Sequence, residues 1–77
     1  MAGSILYRQA GTVAEAASTL AVTLDHAFAN ANYTVGVELS YQTSFWITSK
    51  TSTGFTLNVG TAGPAYGAAV TFILFHE

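Results

Sequence analysis

The nine residues at positions 33–41, YTVGVELSY, alternate without a break between large apolar side chains and small or polar ones. Because successive side chains of a β-strand point to opposite faces, this period of two predicts a strand. One face would carry Tyr33, Val35, Val37, Leu39 and Tyr41, and the other Thr34, Gly36, Glu38 and Ser40. We therefore expect a sheet with one face in a core and one face outside it.

Strand signals of the same kind occur elsewhere in the chain. Residues 20–24 and 55–59 also alternate, and the apolar start of residues 45–50 precedes the second of these segments. Gly54 accepts a positive φ without steric cost, so a hairpin connection with a bulge or a four-residue loop is expected over residues 50–54. Five or six short strands separated by turn residues predict an all-β fold, a sandwich or small barrel, and we take the small antiparallel β-sandwich as the prediction.

The first 18 residues are open to more than one interpretation. Residues 4–8 suit either a short strand or an extended arm. Thr12 and Glu15 have the spacing of a helix capping box, and a short helix after them competes equally with a loop. The predicted organisation is an N-terminal arm or edge segment over residues 1–18 and a β-sandwich domain over residues 19–77.

Charge is scarce in this chain: 8 % of the 77 residues are charged and 51 % are hydrophobic. Soluble domains average about 25 % charged residues, and a chain of this size buries only about 60 % of its surface on folding. Its surface is therefore expected to associate. Arg8 and Lys50 are the only fixed cations, which argues against nucleic acid as a partner. The longest apolar stretch, residues 67–75, is too short for a membrane-spanning helix, and no membrane partner is predicted.

The last segment, residues 69–76, is apolar on both faces. Val70, Phe72 and Leu74 share one face, whereas Ile73 and Phe75 lie on the other. A strand with two apolar faces is normally buried on both sides. In a sandwich this small, one of those sides is expected to meet another subunit. The predicted oligomer or capsid contacts are Ile5, Leu6, Tyr7, Arg8, Ile73 and Phe75.

Catalytic and metal-binding patterns are weak. Asp25 and His26 are adjacent, so on an extended chain they point to opposite faces and do not pair. His76 would need ligands from other copies to hold a metal, for example around a three-fold axis. No nucleophile elbow or phosphate-binding loop occurs in the sequence. We therefore predict a protein that is not an enzyme and that uses no cofactor and no metal.

An exposed aromatic residue is expected on the fourth strand segment. If Phe45 and Ile47 face the core, then Trp46, Thr48 and Lys50 line the outer face. Such a face suits a sugar, a subunit contact, or packing beneath the N-terminal segment.

Two segments of the chain resemble small β-sandwich modules of bacteriophage structural proteins. Residues 27–35 carry Phe28 followed by Asn-Tyr-Thr-Val, residues 50–55 read Lys-Thr-Ser-Thr-Gly-Phe, and a closing apolar strand follows. The modules with this pattern include trimeric head decoration proteins and tail-fibre tips similar to the H-type lectin fold. The resemblance covers residues 20–75.

The resemblance implies a jelly-roll-like or H-type-lectin-like sandwich that forms a homotrimer. It also implies a role as a capsid decoration or cement protein, which binds the major capsid protein on the capsid surface of the virion and stabilises the head. The alternative is a tail-associated, lectin-like module that binds host-surface glycans through the face around Trp46.

Overall fold

The computed structural model describes residues 5–76 of the chain. Within that range the chain forms six strands and no helix, which confirms the predicted all-β class. The strands are β1 (Ile5–Val13), β2 (Thr19–Thr23), β3 (Thr34–Leu39), β4 (Phe45–Thr51), β5 (Gly54–Val59) and β6 (Ala68–His76).

The strands form two antiparallel sheets that pack face to face, as predicted for a small β-sandwich. Sheet A has the order β1-β6-β3 and sheet B has the order β2-β5-β4. Only the β4–β5 hairpin joins neighbouring strands of one sheet. The other four connections pass from one sheet to the other, and this nested order is jelly-roll-like.

The core lies between the two sheets and is built from alternate residues of their central strands. β6 contributes Val70, Phe72 and Leu74, and β5 contributes Phe55, Leu57 and Val59. The rings of Phe55 and Phe72 meet edge to face with centroids 5.2 Å apart. Tyr33 and alternate residues of β3 belong to or pack on the same core, so the predicted period of two is confirmed over residues 33–39. The strand ends at Leu39, before Tyr41.

The N-terminal segment is the edge strand of sheet A over its described part. All nine residues of β1 have partners on β6, from Ile5 opposite His76 to Val13 opposite Ala68. Val13 is only 1 % exposed and belongs to the core. Within the described residues, β1 is therefore an edge strand of the sandwich. Residues 1–4 of the predicted arm lie outside the described residues, as does Glu77.

The helix considered after Thr12 is wrong. Thr12 still belongs to β1, and residues 14–18 form a tight turn in which the Ala17 amide donates to the Ala14 carbonyl at 3.0 Å. Ala16 has a φ of 66° in this turn. The amide of Ala16 also donates to the Gly63 carbonyl at 2.9 Å, so this turn docks on the β5–β6 loop instead of continuing as a helix.

The β4–β5 hairpin takes the bulged form of the two that were predicted, with a two-residue turn. Thr51 lies opposite Gly54, so only Ser52 and Thr53 form the turn. The positive φ of the hairpin occurs at Ser49, at 54°, within a bulge that places one extra residue on β4. Gly54 is required for a different reason: a side chain there would overlap the Val22 carbonyl of the neighbouring strand β2.

Candidate functional site

The outer face of sheet A carries three of the six large hydrophobic side chains that are exposed among the described residues. We call it the sheet A outer face. It consists of alternate residues of the three strands, as their register and burial show: Leu6, Arg8, Ala10 and Thr12 on β1, Ala69, Thr71, Ile73 and Phe75 on β6, and Thr34, Gly36 and Glu38 on β3.

The apolar part of this face is concentrated at one end. Leu6 lies opposite Phe75, and their exposed fractions are 68 % and 40 %. Ile73, which is 41 % exposed, lies between Arg8 and Gly36 on the two neighbouring strands. Because Gly36 has no side chain, Ile73 has no side chain directly opposite it on β3. Large exposed apolar side chains in one cluster are typical of an interaction surface.

The structure brings together four of the six predicted contact residues. Leu6, Arg8, Ile73 and Phe75 all lie on the sheet A outer face. Tyr7 does not, since it points to the opposite side of β1 and donates a hydrogen bond to the His26 carbonyl at 2.9 Å. The Ile5 side chain lies outside the described part of the structure.

A shallow groove of about 200 Å³ opens at the other end of the same face. Its lining residues are Glu38, Leu39, Ser40, Ala69 and Thr71. Glu38 supplies its only charge, and the carboxylate is exposed. The groove therefore offers an anionic group beside small and apolar side chains, an arrangement that suits a cationic group with an apolar stem.

The outer face of sheet B has a different chemistry. We call it the sheet B outer face; in the described structure it consists of Thr19, Ala21, Thr23, Trp46, Thr48, Thr56 and Asn58. Trp46 is 51 % exposed and lies opposite Asn58. The Asn58 side-chain amide donates to the Thr48 hydroxyl at 2.9 Å, so these groups are held in fixed positions. The face is uncharged and rich in hydroxyl groups.

Lys50 does not belong to the sheet B outer face, so the predicted grouping with Trp46 and Thr48 is wrong for this residue. The bulge at Ser49 shifts the alternation of β4, and the Lys50 ammonium donates to the Tyr33 carbonyl at 2.5 Å. The same ammonium lies 5.0 Å from the centre of the Tyr33 ring. Lys50 therefore joins the two sheets at the end of the sandwich.

An aromatic cluster closes that end of the sandwich, and no sequence pattern predicted it. Phe28 lies at its centre, with ring-centroid distances of 4.6 Å to Tyr33, 5.4 Å to His76 and 5.8 Å to Tyr7. His26 meets Tyr7 edge to face at 5.0 Å. The long β2–β3 loop supplies Phe28 and His26, so this loop is anchored by aromatic contacts.

His76 and the backbone of Asp25 make hydrogen bonds to neighbouring side chains. The Nε2 atom of His76 lies 2.8 Å from the Asn30 side-chain oxygen, and the Asp25 amide donates to the Gln9 side-chain oxygen at 2.9 Å. Over residues 5–76, no three histidine or carboxylate side chains are close enough together to hold a metal ion.

Tyr33 is the residue on which this end of the sandwich depends most. It is 2 % exposed, and its hydroxyl lies 2.7 Å from the Thr51 carbonyl and 2.9 Å from the Gly54 carbonyl, to which it donates. Burial, with a smaller contribution from nearby Tyr7, raises the pKa of Tyr33 above its ordinary value of 10.0. The neutral phenol is therefore the form that the folded chain prefers.

Stability is expected to fall as the pH rises above 10. Because the pKa of Tyr33 is higher in the folded than in the unfolded chain, the unfolded chain loses this proton first, and deprotonation favours unfolding. Urea titrations at pH 8 and above pH 10 measure the difference. Tyr33→Phe should cost about 1–3 kcal/mol at pH 8, because the part-buried carbonyls of Thr51 and Gly54 lose the hydroxyl that they share as a donor, and it should show a smaller loss between the two pH values. An equal alkaline loss in both proteins would contradict the assignment to Tyr33.

Comparisons of the chain with protein-family models, with curated proteins and with solved structures found no match. In the described range, no helix is long and apolar enough to cross a membrane.

Proposed function

We propose that this chain is a structural protein of a bacteriophage particle, a decoration or cement protein with no enzymatic activity. In this proposal it forms a homotrimer, binds the major capsid protein on the capsid surface and stabilises the head.

The sheet A outer face is the observation that carries the proposal. It leaves Leu6, Ile73 and Phe75 exposed side by side. Covering them with another protein surface would be favourable, because each square ångström of apolar surface removed from water contributes about 25 cal/mol. The low charge of the whole chain points the same way, since few charges keep separate copies apart. The resemblance of residues 27–35 and 50–55 to phage modules supports the proposal that the copies assemble on a phage particle.

The position of the chain on purified phage particles tests the proposal directly. Particles are labelled with an antibody against this chain and viewed by electron microscopy, with an antibody against the major capsid protein as the control that marks the head. Label spread over the head is the expected result. Label confined to the tail would contradict a decoration role, and particles without label would contradict any virion role.

A second candidate is a tail-associated, lectin-like module that binds host-surface glycans. The specific observation in its favour is the half-exposed Trp46 ring beside the Thr48 hydroxyl and the Asn58 amide. Aromatic rings provide an apolar platform, and fixed polar groups beside them give orientation to a bound ligand.

Titration with host-surface polysaccharide tests this second candidate. Trp46 is the only tryptophan, so the intrinsic fluorescence of the chain reports directly on it. Calorimetry then compares Trp46→Ala with Tyr66→Ala, a matched control because Tyr66 is fully exposed in the β5–β6 loop. If the glycan lies on Trp46, the first variant should bind at least about tenfold more weakly and the second should bind normally. Equal binding by all three proteins would eliminate the Trp46 face as the site.

A further inference from the structure

We infer that copies of the chain associate side by side through the sheet A outer face, with the β1 edge of one copy beside the β3 edge of the next. In this contact Arg8 of one copy binds in the Glu38 groove of the next. The inference rests on the self-association in the proposed function and names the surface and the charge pair that produce it. Its starting point is that this face carries one cation and one anion among its described residues, on opposite edge strands.

The strand directions allow this contact. β1 and β3 are both antiparallel to β6, so they run parallel to each other at the two edges of sheet A. A rotation about an axis along the strands places the β1 edge of one copy beside the β3 edge of the next. Arg8 is level with Ile73 and Glu38 is level with Thr71, an offset of two residues or about 7 Å, which the long arginine side chain can span.

The groove supplies a suitable site for the arginine. A guanidinium group binds a carboxylate through two parallel hydrogen bonds, and its methylene groups cover apolar surface. Glu38 provides the carboxylate, and Ala69 provides apolar surface beside it. Because the two charges lie on opposite edges, each copy offers one and receives the other, so the contact repeats until a ring closes.

The width of sheet A favours a ring of three. A sheet of three strands is about 14–17 Å wide, so the centre of a triangle of such faces lies about 4–5 Å from each sheet. Two packed sheets normally lie about 10 Å apart, so each sheet lies about 5 Å from the middle of the layer of side chains between them. The distance from the ring axis to each sheet is therefore the one at which Leu6, Ile73 and Phe75 of the three copies would fill the centre. A larger ring would leave a hole on its axis.

Charge reversal with a mass measurement tests the inference. The mass in solution is followed over a dilution series for the wild type, Arg8→Glu, Glu38→Lys and the double variant. Asp25→Lys, which changes the net charge as Glu38→Lys does but lies on the β2–β3 loop, is the control. All these side chains are exposed, so circular dichroism should show an unchanged fold.

We expect a wild-type species of three times 8.1 kDa. Each single reversal should weaken association at least about tenfold, the double reversal should restore most of it, and the control should behave as the wild type. A monomer at every concentration, a species of twice 8.1 kDa, or no rescue by the double reversal would each overturn the inference. A monomer found on phage heads would overturn the inference and the homotrimer but leave the decoration role standing, whereas a trimer absent from particles would overturn the decoration role and leave the inference standing.

Discussion

Replacing Phe72 by alanine is expected to cost about 3–5 kcal/mol of stability. Phe72 is 0 % exposed, lies on the central strand of sheet A and packs edge to face on Phe55 of the opposite sheet. A domain of this length has roughly 4–12 kcal/mol of stability in total, so the variant would lose a large share of it. Urea unfolding at a concentration where the chain is monomeric measures the loss.

Phe75→Ala is the matched control, because it makes the same substitution on the same strand but on the outer side. Phe75 contributes to the sheet A outer face and not to the core, so its loss should cost under about 1 kcal/mol of monomer stability. The same variant should instead weaken self-association. If the two variants were equally unstable as monomers, the assignment of inner and outer faces on β6 would be wrong.

Gly54→Ala is expected to destabilise the sandwich by about 1–3 kcal/mol or more. The added methyl group would overlap the Val22 carbonyl, which belongs to the backbone of β2 and cannot move without disturbing the β2–β5 pairing. The Gly54 carbonyl also accepts a hydrogen bond from Tyr33, so a shift of this backbone would reach the aromatic cluster. Thermal unfolding by circular dichroism measures the effect.

Gly60→Ala is the control for that substitution at the other end of β5. A methyl group at Gly60 would meet the Ser44 hydroxyl, which can rotate away. Its expected effect lies between no change and a gain of about 0.4–1 kcal/mol, because alanine restricts the unfolded chain. A loss as large as that of Gly54→Ala would refute the view that the rigid carbonyl of Val22 is what forbids a side chain.

Strands whose inward residues are all apolar could be predicted from the sequence alone. β3 and β5 show this clearly, because Val35 and Val37 on one strand and Leu57 and Val59 on the other all point to the core. β6 was correctly predicted as a strand, because Val70, Phe72 and Leu74 alternate on its inner side. The subunit predicted to cover its outer side stays a prediction.

The alternation of β1 was not recognised from the sequence, because two of its inward positions are not apolar. Gln9 points inward, where its amide donates to the Thr23 carbonyl and accepts from the Asp25 amide. Gly11 lies where the side chains of Leu20, Val70 and Phe72 converge within 3.4 Å of the position a Cβ would take. These reasons exist only once the two sheets are packed together, so no period of two was visible in the segment itself.

The face to which Lys50 points depends on the positive φ of the preceding residue, Ser49. A bulge was one of the two forms predicted for this hairpin. Serine has no strong preference for a positive φ, so the sequence did not indicate that the bulge lies at Ser49 and turns Lys50 away from Trp46. The Glu38 groove was missed for a different reason. Glu38 was assigned to the outer side of its strand, but the groove also needs Ala69 and Thr71 from β6, the neighbour that only the topology identifies.

The pairing of the first strand with the last has a kinetic consequence. Sheet A is complete only when β1 reaches β6, and Ile5 lies opposite His76 at the far end of the chain. Closing a loop that contains most of the polypeptide is slow, and sandwiches rich in such distant pairs fold in milliseconds to seconds. Until that step, β6 presents both an open edge and Phe75 to other molecules, so refolding yield should decline as protein concentration rises.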